Sequence, residues 1–203
     1  PLGSQRPLLS NAYYPTFNRP NVELVCDGIE SFSATSIRSC DGKERPIDVA
    51  VLATGYAANK FLSVIEVAGR QGLHLSDAWR EGPQAYLGIT TAGFPNLFML
   101  YGPNTNNGSI LYMIESQVDY IVAKLIHMRS GGLRAIDVRR DVMDSYNATV
   151  QEEIRAVEAW RTVGSKYYRA SSGRVVTQWP CTMAEYRRRT IQPDADAYEV
   201  IAG

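Results

Sequence analysis

The stretch richest in groups that could do chemistry is Gly102-Pro103-Asn104-Thr105-Asn106-Asn107-Gly108-Ser109, a polar loop with two glycines. It follows the apolar run Leu97-Phe98-Met99-Leu100-Tyr101 and precedes an amphipathic pattern that begins near Ile110. Strand, loop, helix is the order in which α/β sheets place ligands, because such a loop lies at the carboxyl end of a buried strand. A helix starting near Gly108-Ser109 would turn free backbone N–H groups and its positive dipole end toward the crevice. The occupant expected there is an electron-rich or anionic ligand edge. The same spacing also suits an ordinary crossover with a polar loop, and spacing by itself reaches no function.

Other reactive residue types give less. His74 and His127 stand without a Cys-x-x-Cys or His-x-x-x-His neighbour, so no metal site is expected. Cys26, Cys40 and Cys181 are odd in number and widely spaced, which fits reduced thiols in a cytoplasmic protein. Glu115 and Asp119 fall four apart on one helical pattern with no matching acceptor, and no catalytic residue is assigned. The run Arg187-Arg188-Arg189 reads as a solvated face, with a cofactor phosphate as the alternative. Trp79, Trp160 and Trp179 read as packing anchors, and the sequons at Asn107 and Asn147 as chance.

The elements that must position the loop follow from patterning. Val22–Val25 reads as a short strand. Ser36–Cys40, Asp41-Gly42 and Ile47–Ala53 read as a hairpin, the glycine supplying the positive φ of the turn. The second arm and the run Leu97–Tyr101 are continuously apolar, as strands buried on both faces are. Residues 57–93 read as irregular. Ile114, Val118, Ile121, Val122 and Leu125 make one continuous helical face, ended by Gly131-Gly132. A second helix is expected from a cap at Asp141 to about Trp160, with Tyr146, Val150, Ile154 and Val157 on one face. The tail, 164–203, is aromatic and loop-rich.

The 203 residues carry 21 Lys+Arg against 21 Asp+Glu, a balance that argues against a nucleic-acid-coating protein or an anionic-membrane binder. A hydrophobic share of 45% places the chain among globular proteins rather than disordered ones. No apolar run is long enough to span a membrane. Pro1-Leu2-Gly3-Ser4 resembles the scar of a removed purification tag, which would put the natural start near Gln5.

Two segments go further. Asp48-Val49-Ala50-Val51-Leu52-Ala53-Thr54-Gly55-Tyr56 resembles the Ala-Thr-Gly element of flavoproteins with two dinucleotide-binding domains. More specific is Gly93-Phe94-Pro95-Asn96-Leu97-Phe98-Met99-Leu100-Tyr101-Gly102-Pro103-Asn104-Thr105, followed by Met113-Ile114-Glu115-Ser116-Gln117 and, in the tail, Trp179-Pro180. These resemble the C-terminal part of class B flavin monooxygenases, the Baeyer–Villiger and flavin-containing monooxygenases. The fold implied is α/β (α+β in isolation), the C-terminal part of a two-dinucleotide-binding-domain flavoprotein. Residues 5–56 would end the NADPH-binding domain with a hairpin and return strand. Residues 57–130 would be the C-terminal part of the FAD-binding domain, and 131–203 a helix and aromatic tail.

In that family NADPH reduces FAD, and a peroxyflavin oxygenates a ketone or a soft heteroatom. The resemblance implies that Thr54 and Gly55 lie near the nucleotides. It implies that Gly102, Asn104, Asn107, Gly108, Ser109 and Ile110 face the flavin, and that Leu111, Tyr112 and Met113 line the substrate side. None of the sixteen glycines is separated from another by one residue, so no Gly-x-Gly-x-x-Gly phosphate loop is present. A fragment is therefore expected, inactive by itself and binding no cofactor, whose partner is the missing Rossmann portion or a second copy. Small organic substrate and O₂ belong to the parent. The alternatives are a non-catalytic assembly module needing a partner chain, and part of another two-domain flavoprotein reductase.

Overall fold

The computed structural model describes residues 8–161 and 167–202. The expected tag scar at 1–4 and Lys166 lie outside them. The chain divides into two compact units, meeting in sequence at Tyr56 and Ala57.

The first unit holds a three-stranded antiparallel sheet in the order β1 (Ile29–Phe32), β2 (Ser36–Ser39), β3 (Glu44–Pro46). The Asp41-Gly42 turn forms as expected. Gly42 has φ +80°, the Ser39 N–H donates to the Lys43 carbonyl at 3.1 Å, and the Lys43 N–H donates to Asp41 Oδ1 at 3.1 Å. The third strand stops at Pro46, before the arm expected at 47–53, and Val22–Val25 forms no strand either. Val51 is 87% exposed and Leu52 76%. The reason is physical: an apolar run becomes a buried strand only where neighbouring strands complete its ladder, and no described residue supplies one.

The second unit is built on α1 (Ile110–Ser130), β4 (Leu133–Val138), α2 (Arg140–Ala156), α3 (Met183–Thr190) and β5 (Tyr198–Ala202), with β4 and β5 antiparallel. The tail that reads as loop-rich thus carries a helix and a closing strand. Ser109 caps α1 by accepting from the Tyr112 N–H at 3.4 Å, and Gly131 follows its last turn. The second helix starts one residue before Asp141, which sits in its first turn rather than capping it. It ends at Ala156, and a single turn, Glu158–Arg161, follows.

The run 97–101 is not a strand: Asn96 and Tyr101 both have positive φ, so the chain turns at either end of it. Its main chain is held by scattered bonds rather than a ladder, the Met99 N–H donating to the Ile89 carbonyl at 2.8 Å and the Leu97 N–H to the Phe94 carbonyl at 3.2 Å.

Helix α1 covers only part of its apolar face: Ile121 packs against a core cluster and Ile114 is half-buried. Its inward side is Met113, Ser116, Gln117, Tyr120 and Met128, while Val118, Val122 and Leu125 face outward. Periodicity detects an apolar face, not which face the chain can cover. The inward side is held by polar tips. Gln117 Nε2 donates to Tyr186 Oη at 2.9 Å, and Gln117 Oε1 accepts from the Tyr101 N–H at 2.7 Å. Tyr120 Oη meets Tyr198 Oη at 2.8 Å and donates to Asp194 at 2.5 Å, and Lys124 pairs with the same carboxylate.

One core gathers Leu87, Ile89, Tyr120, Ile136, Met143 and Tyr198, and another Met113, Val150, Ile154, Tyr168, Val175, Trp179 and Tyr186. A third packs Leu75, Trp79, Phe94 and Met99.

Candidate active site

Loop 102–109 lies along the tail segment 175–181, and main-chain bonds set the alignment. The Asn104 N–H donates to the Val176 carbonyl at 2.8 Å and the Asn106 N–H to the Thr177 carbonyl at 2.9 Å. The Trp179 N–H returns a bond to the Asn106 carbonyl at 3.2 Å. Side-chain amides reinforce it. Asn104 Nδ2 donates to the carbonyls of Val175 (3.0 Å) and Gln178 (2.9 Å), and Asn107 Nδ2 to that of Cys181 (2.6 Å). Asn106 bonds the Gln178 side chain and accepts from Tyr101 Oη at 2.5 Å. Asn104 adopts φ +56°, which asparagine tolerates better than most residues.

Two glycines of the loop are there for close approach. A Cβ on Gly102 would overlap the Gly88 carbonyl, and one on Gly108 would fall 2.6 Å from Met183 Sδ. That sulfur also accepts from the Ser109 N–H at 3.0 Å.

Beside this clamp is a cavity of about 470 Å³, lined from the loop side by Tyr101, Gly102, Thr105, Asn106 and Ile110 and from the other side by Phe61, Tyr167, Tyr168 and Thr177. Thr177 Oγ1 is buried with no hydrogen-bond partner. A buried unpaired hydroxyl on an otherwise largely aromatic and apolar wall is a place for a ligand with one polar edge. At the start of α1, the Ile110 and Leu111 N–H groups have no partner among the described residues, and Leu111 is 73% exposed.

The expected site residues separate accordingly. Gly102, Asn104, Asn107, Gly108, Ser109 and Ile110 are brought together by the clamp, although the side-chain nitrogens of Asn104 and Asn107 are spent on tail carbonyls. Leu111 and Tyr112 lie at the accessible helix start, Tyr112 half-buried. Met113 does not join them: it is wholly buried in the core with Trp179 and Tyr186, because it occupies the inward side of α1. Thr54 and Gly55 belong to the first unit, exposed, Gly55 with φ +86°. Phe61, Thr177, Gln178 and Met183 were not anticipated. They meet the loop only through contacts distant in sequence, which no local pattern announces.

In the arginine run, Arg187 and Arg188 lie on a solvated face as expected, 40% and 55% exposed, while Arg189 turns inward; all three are paired, so none is a free phosphate site. Arg187 pairs with Asp119, Arg188 with Glu185, and Arg189 with Glu153 and Glu185 while lying 4.9 Å over the Trp179 ring. Hydrogen bonds from Arg188 and then Arg189 pull the Glu185 carboxyl down to about 2 from its ordinary 4.5. A depressed carboxyl contributes stability that is fully present above the unfolded value and is lost as pH falls through the folded one. The gap in melting midpoint between the parent chain and Glu185→Gln is therefore expected to hold steady above pH 4.5 and to close toward pH 2. A gap that is independent of pH would refute this.

Among the described residues no His/Cys/Asp/Glu group could hold a metal ion, and no helix is long and apolar enough to cross a membrane.

No protein-family model matches the chain. Over 98% of its length it is 40% identical to a Baeyer–Villiger monooxygenase of Pseudomonas aeruginosa, and it covers 38% of that protein. It is 37% identical to a Baeyer–Villiger monooxygenase of Streptomyces coelicolor, covering 39% of it. Among solved structures, cyclohexanone monooxygenase from Rhodococcus sp. Phi1 bound to NADP+ superposes with a TM-score of 0.88 at 31% identity, over 98% of this chain and 39% of that one. Oxidized steroid monooxygenase bound to NADP gives 0.86 at 26% identity, over 100% of this chain and 40% of that one. The chain spans about two fifths of the length of the curated relatives it matches.

Proposed function

We infer, from a chain that matches the C-terminal part of class B flavin monooxygenases, that it supplies one wall of the flavin and substrate site of an FAD- and NADPH-dependent oxygenase. The observation that carries this is the 470 Å³ cavity between loop 102–110 and the tail, with the unpaired Thr177 hydroxyl in its wall. A flat heteroaromatic ring with one polar edge suits those residues. When bound, reduced flavin would supply the electrons that activate O₂.

What the chain itself contributes is placement. The Ile110 and Leu111 N–H groups, at the positive end of a 21-residue helix, favour negative charge on a ring edge. Thr177 offers a hydroxyl that can donate or accept. Ile110, Leu111 and Tyr112 keep water from the substrate side, where a ketone, sulfide or amine would sit. Thr54 and Gly55, in the first unit, are read as lying near the nucleotides. The Rossmann portion that the relatives carry is read as the partner, covering the outward side of α1, with self-association as the other route. The assembled protein is read as cytoplasmic.

The test is a graft. Joined to the part of the Pseudomonas aeruginosa relative that it leaves uncovered, this chain is expected to give a yellow protein that oxidises NADPH. By itself it should show neither flavin absorption nor NADPH oxidation, since no phosphate loop is present. A folded graft that binds no flavin would overturn the proposal, as would an isolated chain that turns over NADPH.

A further inference from the structure

A second cavity, of about 510 Å³, shares no lining residue with the first. It lies between the last turns of α2 and the tight turn that joins Arg169 to Val175, and Glu81, a single carboxylate, and Gln84 also line it. Three guanidiniums line it. Arg155 is neutralised by Glu152. The other two are not: among the described residues no carboxylate reaches Arg169 or Arg174 within ion-pair distance. Arg169 donates to the carbonyls of Gly173 (2.6 Å) and Trp160, and Arg174 Nη2 donates to Asn147 Oδ1 at 2.8 Å.

Arg174 Nε is buried and has no partner at all. Burial pushes this guanidinium below its ordinary value, with Asp144 opposing from a distance. Carbonyl and amide oxygens orient a guanidinium without cancelling its charge, and a desolvated cation with an unused donor is what an oxyanion satisfies best. The Ser172 hydroxyl and one Gln151 N–H, by contrast, are already committed to the carbonyls of Glu81 and Val175 (2.8 Å) respectively.

We propose that this cavity is a binding site for a small oxyanion, a carboxylate or phosphate group, held by Arg169 and Arg174. It is independent of the flavin reading, since none of its lining residues is used there.

Inorganic phosphate and acetate are the probes, each compared with chloride at equal ionic strength on the 203-residue chain. A saturable rise in melting midpoint of about 2–4 °C corresponds to a modestly occupied site in a domain this size. A response to phosphate alone identifies a phosphate group, and a response to both admits carboxylates. Arg174→Gln should abolish the rise. Because that change also removes the Asn147 contact, Arg169→Gln serves as a second variant, and Arg155→Gln should leave the rise intact. Phosphate should also protect Arg169 and Arg174 from phenylglyoxal, read by peptide mass. The proposal fails if neither anion exceeds chloride and no arginine is protected, or if the response survives in both Arg169→Gln and Arg174→Gln.

Discussion

Trp179→Ala is expected to destabilise the second unit by about 3–5 kcal/mol, the range for deleting a fully buried aromatic. Trp179 is 0% exposed. Its Nε1 donates to the Thr182 carbonyl at 3.0 Å, its ring stands edge-on to Tyr186 at 5.2 Å, and Arg189 lies over its face. Its backbone N–H is one strut of the clamp on loop 102–109. The truncation therefore removes packing, a hydrogen bond and a cation–π contact together. Domains are stable by only about 5–15 kcal/mol, so the loss would consume a large part of the whole. Urea denaturation measures it. Trp179→Phe, which keeps a ring but not the N–H, should fall between the parent and alanine. A loss below about 0.5 kcal/mol, the size of an ordinary surface substitution, would contradict this packing.

The second large effect is expected at Asn104. Its amide satisfies two carbonyls at once, those of Val175 and Gln178, in a position only 3% exposed. Removing a donor from a buried carbonyl costs about 1–3 kcal/mol per group. Alanine there must also hold a left-handed backbone, a further cost of about 1–2 kcal/mol that glycine escapes. Asn104→Gly should therefore be clearly destabilising and Asn104→Ala more so, the difference isolating backbone strain from lost hydrogen bonds. Equal stability of the two variants would show that φ +56° is not maintained. Asn104→Asp should be the worst of the three, because it turns a carboxylate oxygen toward two carbonyls. In the grafted enzyme these variants should lose flavin in the same order if the clamp shapes the cavity.

How much of this was legible depends on distance along the chain. Helix α1 could be placed to within a residue, because a cap at Ser109, an apolar period and Gly131-Gly132 are all local signals. The Asp41-Gly42 hairpin is legible for the same reason. Runs 47–53 and 97–101 read as strands because their composition records burial, yet no ladder forms on them. The polar part of the inward side of α1 is illegible for a related cause: Gln117 and Tyr120 carry polar tips and score poorly as core, but their partners Tyr186, Tyr101 and Tyr198 come from elsewhere in the chain. Strand β5 and its register with β4 could not be seen locally at all. At the candidate site the loop itself stood out from its residue types. Its attachment to 175–181 did not, and that attachment decides why position 104 is asparagine, as the approach of the Gly88 carbonyl decides why position 102 is glycine.

The pairing of β4 with β5 also sets a schedule for biosynthesis. Val138 finds its register partner only when Tyr198 has been made, and Leu133 only when Ala202 has. At translation rates of about 5–20 residues per second, β4 waits on the order of seconds with an open edge. During that interval the nascent chain exposes both this edge and the outward side of α1. Slowing codons placed between the two strands should lengthen the exposure and lower the soluble yield, with no change in the amino-acid sequence.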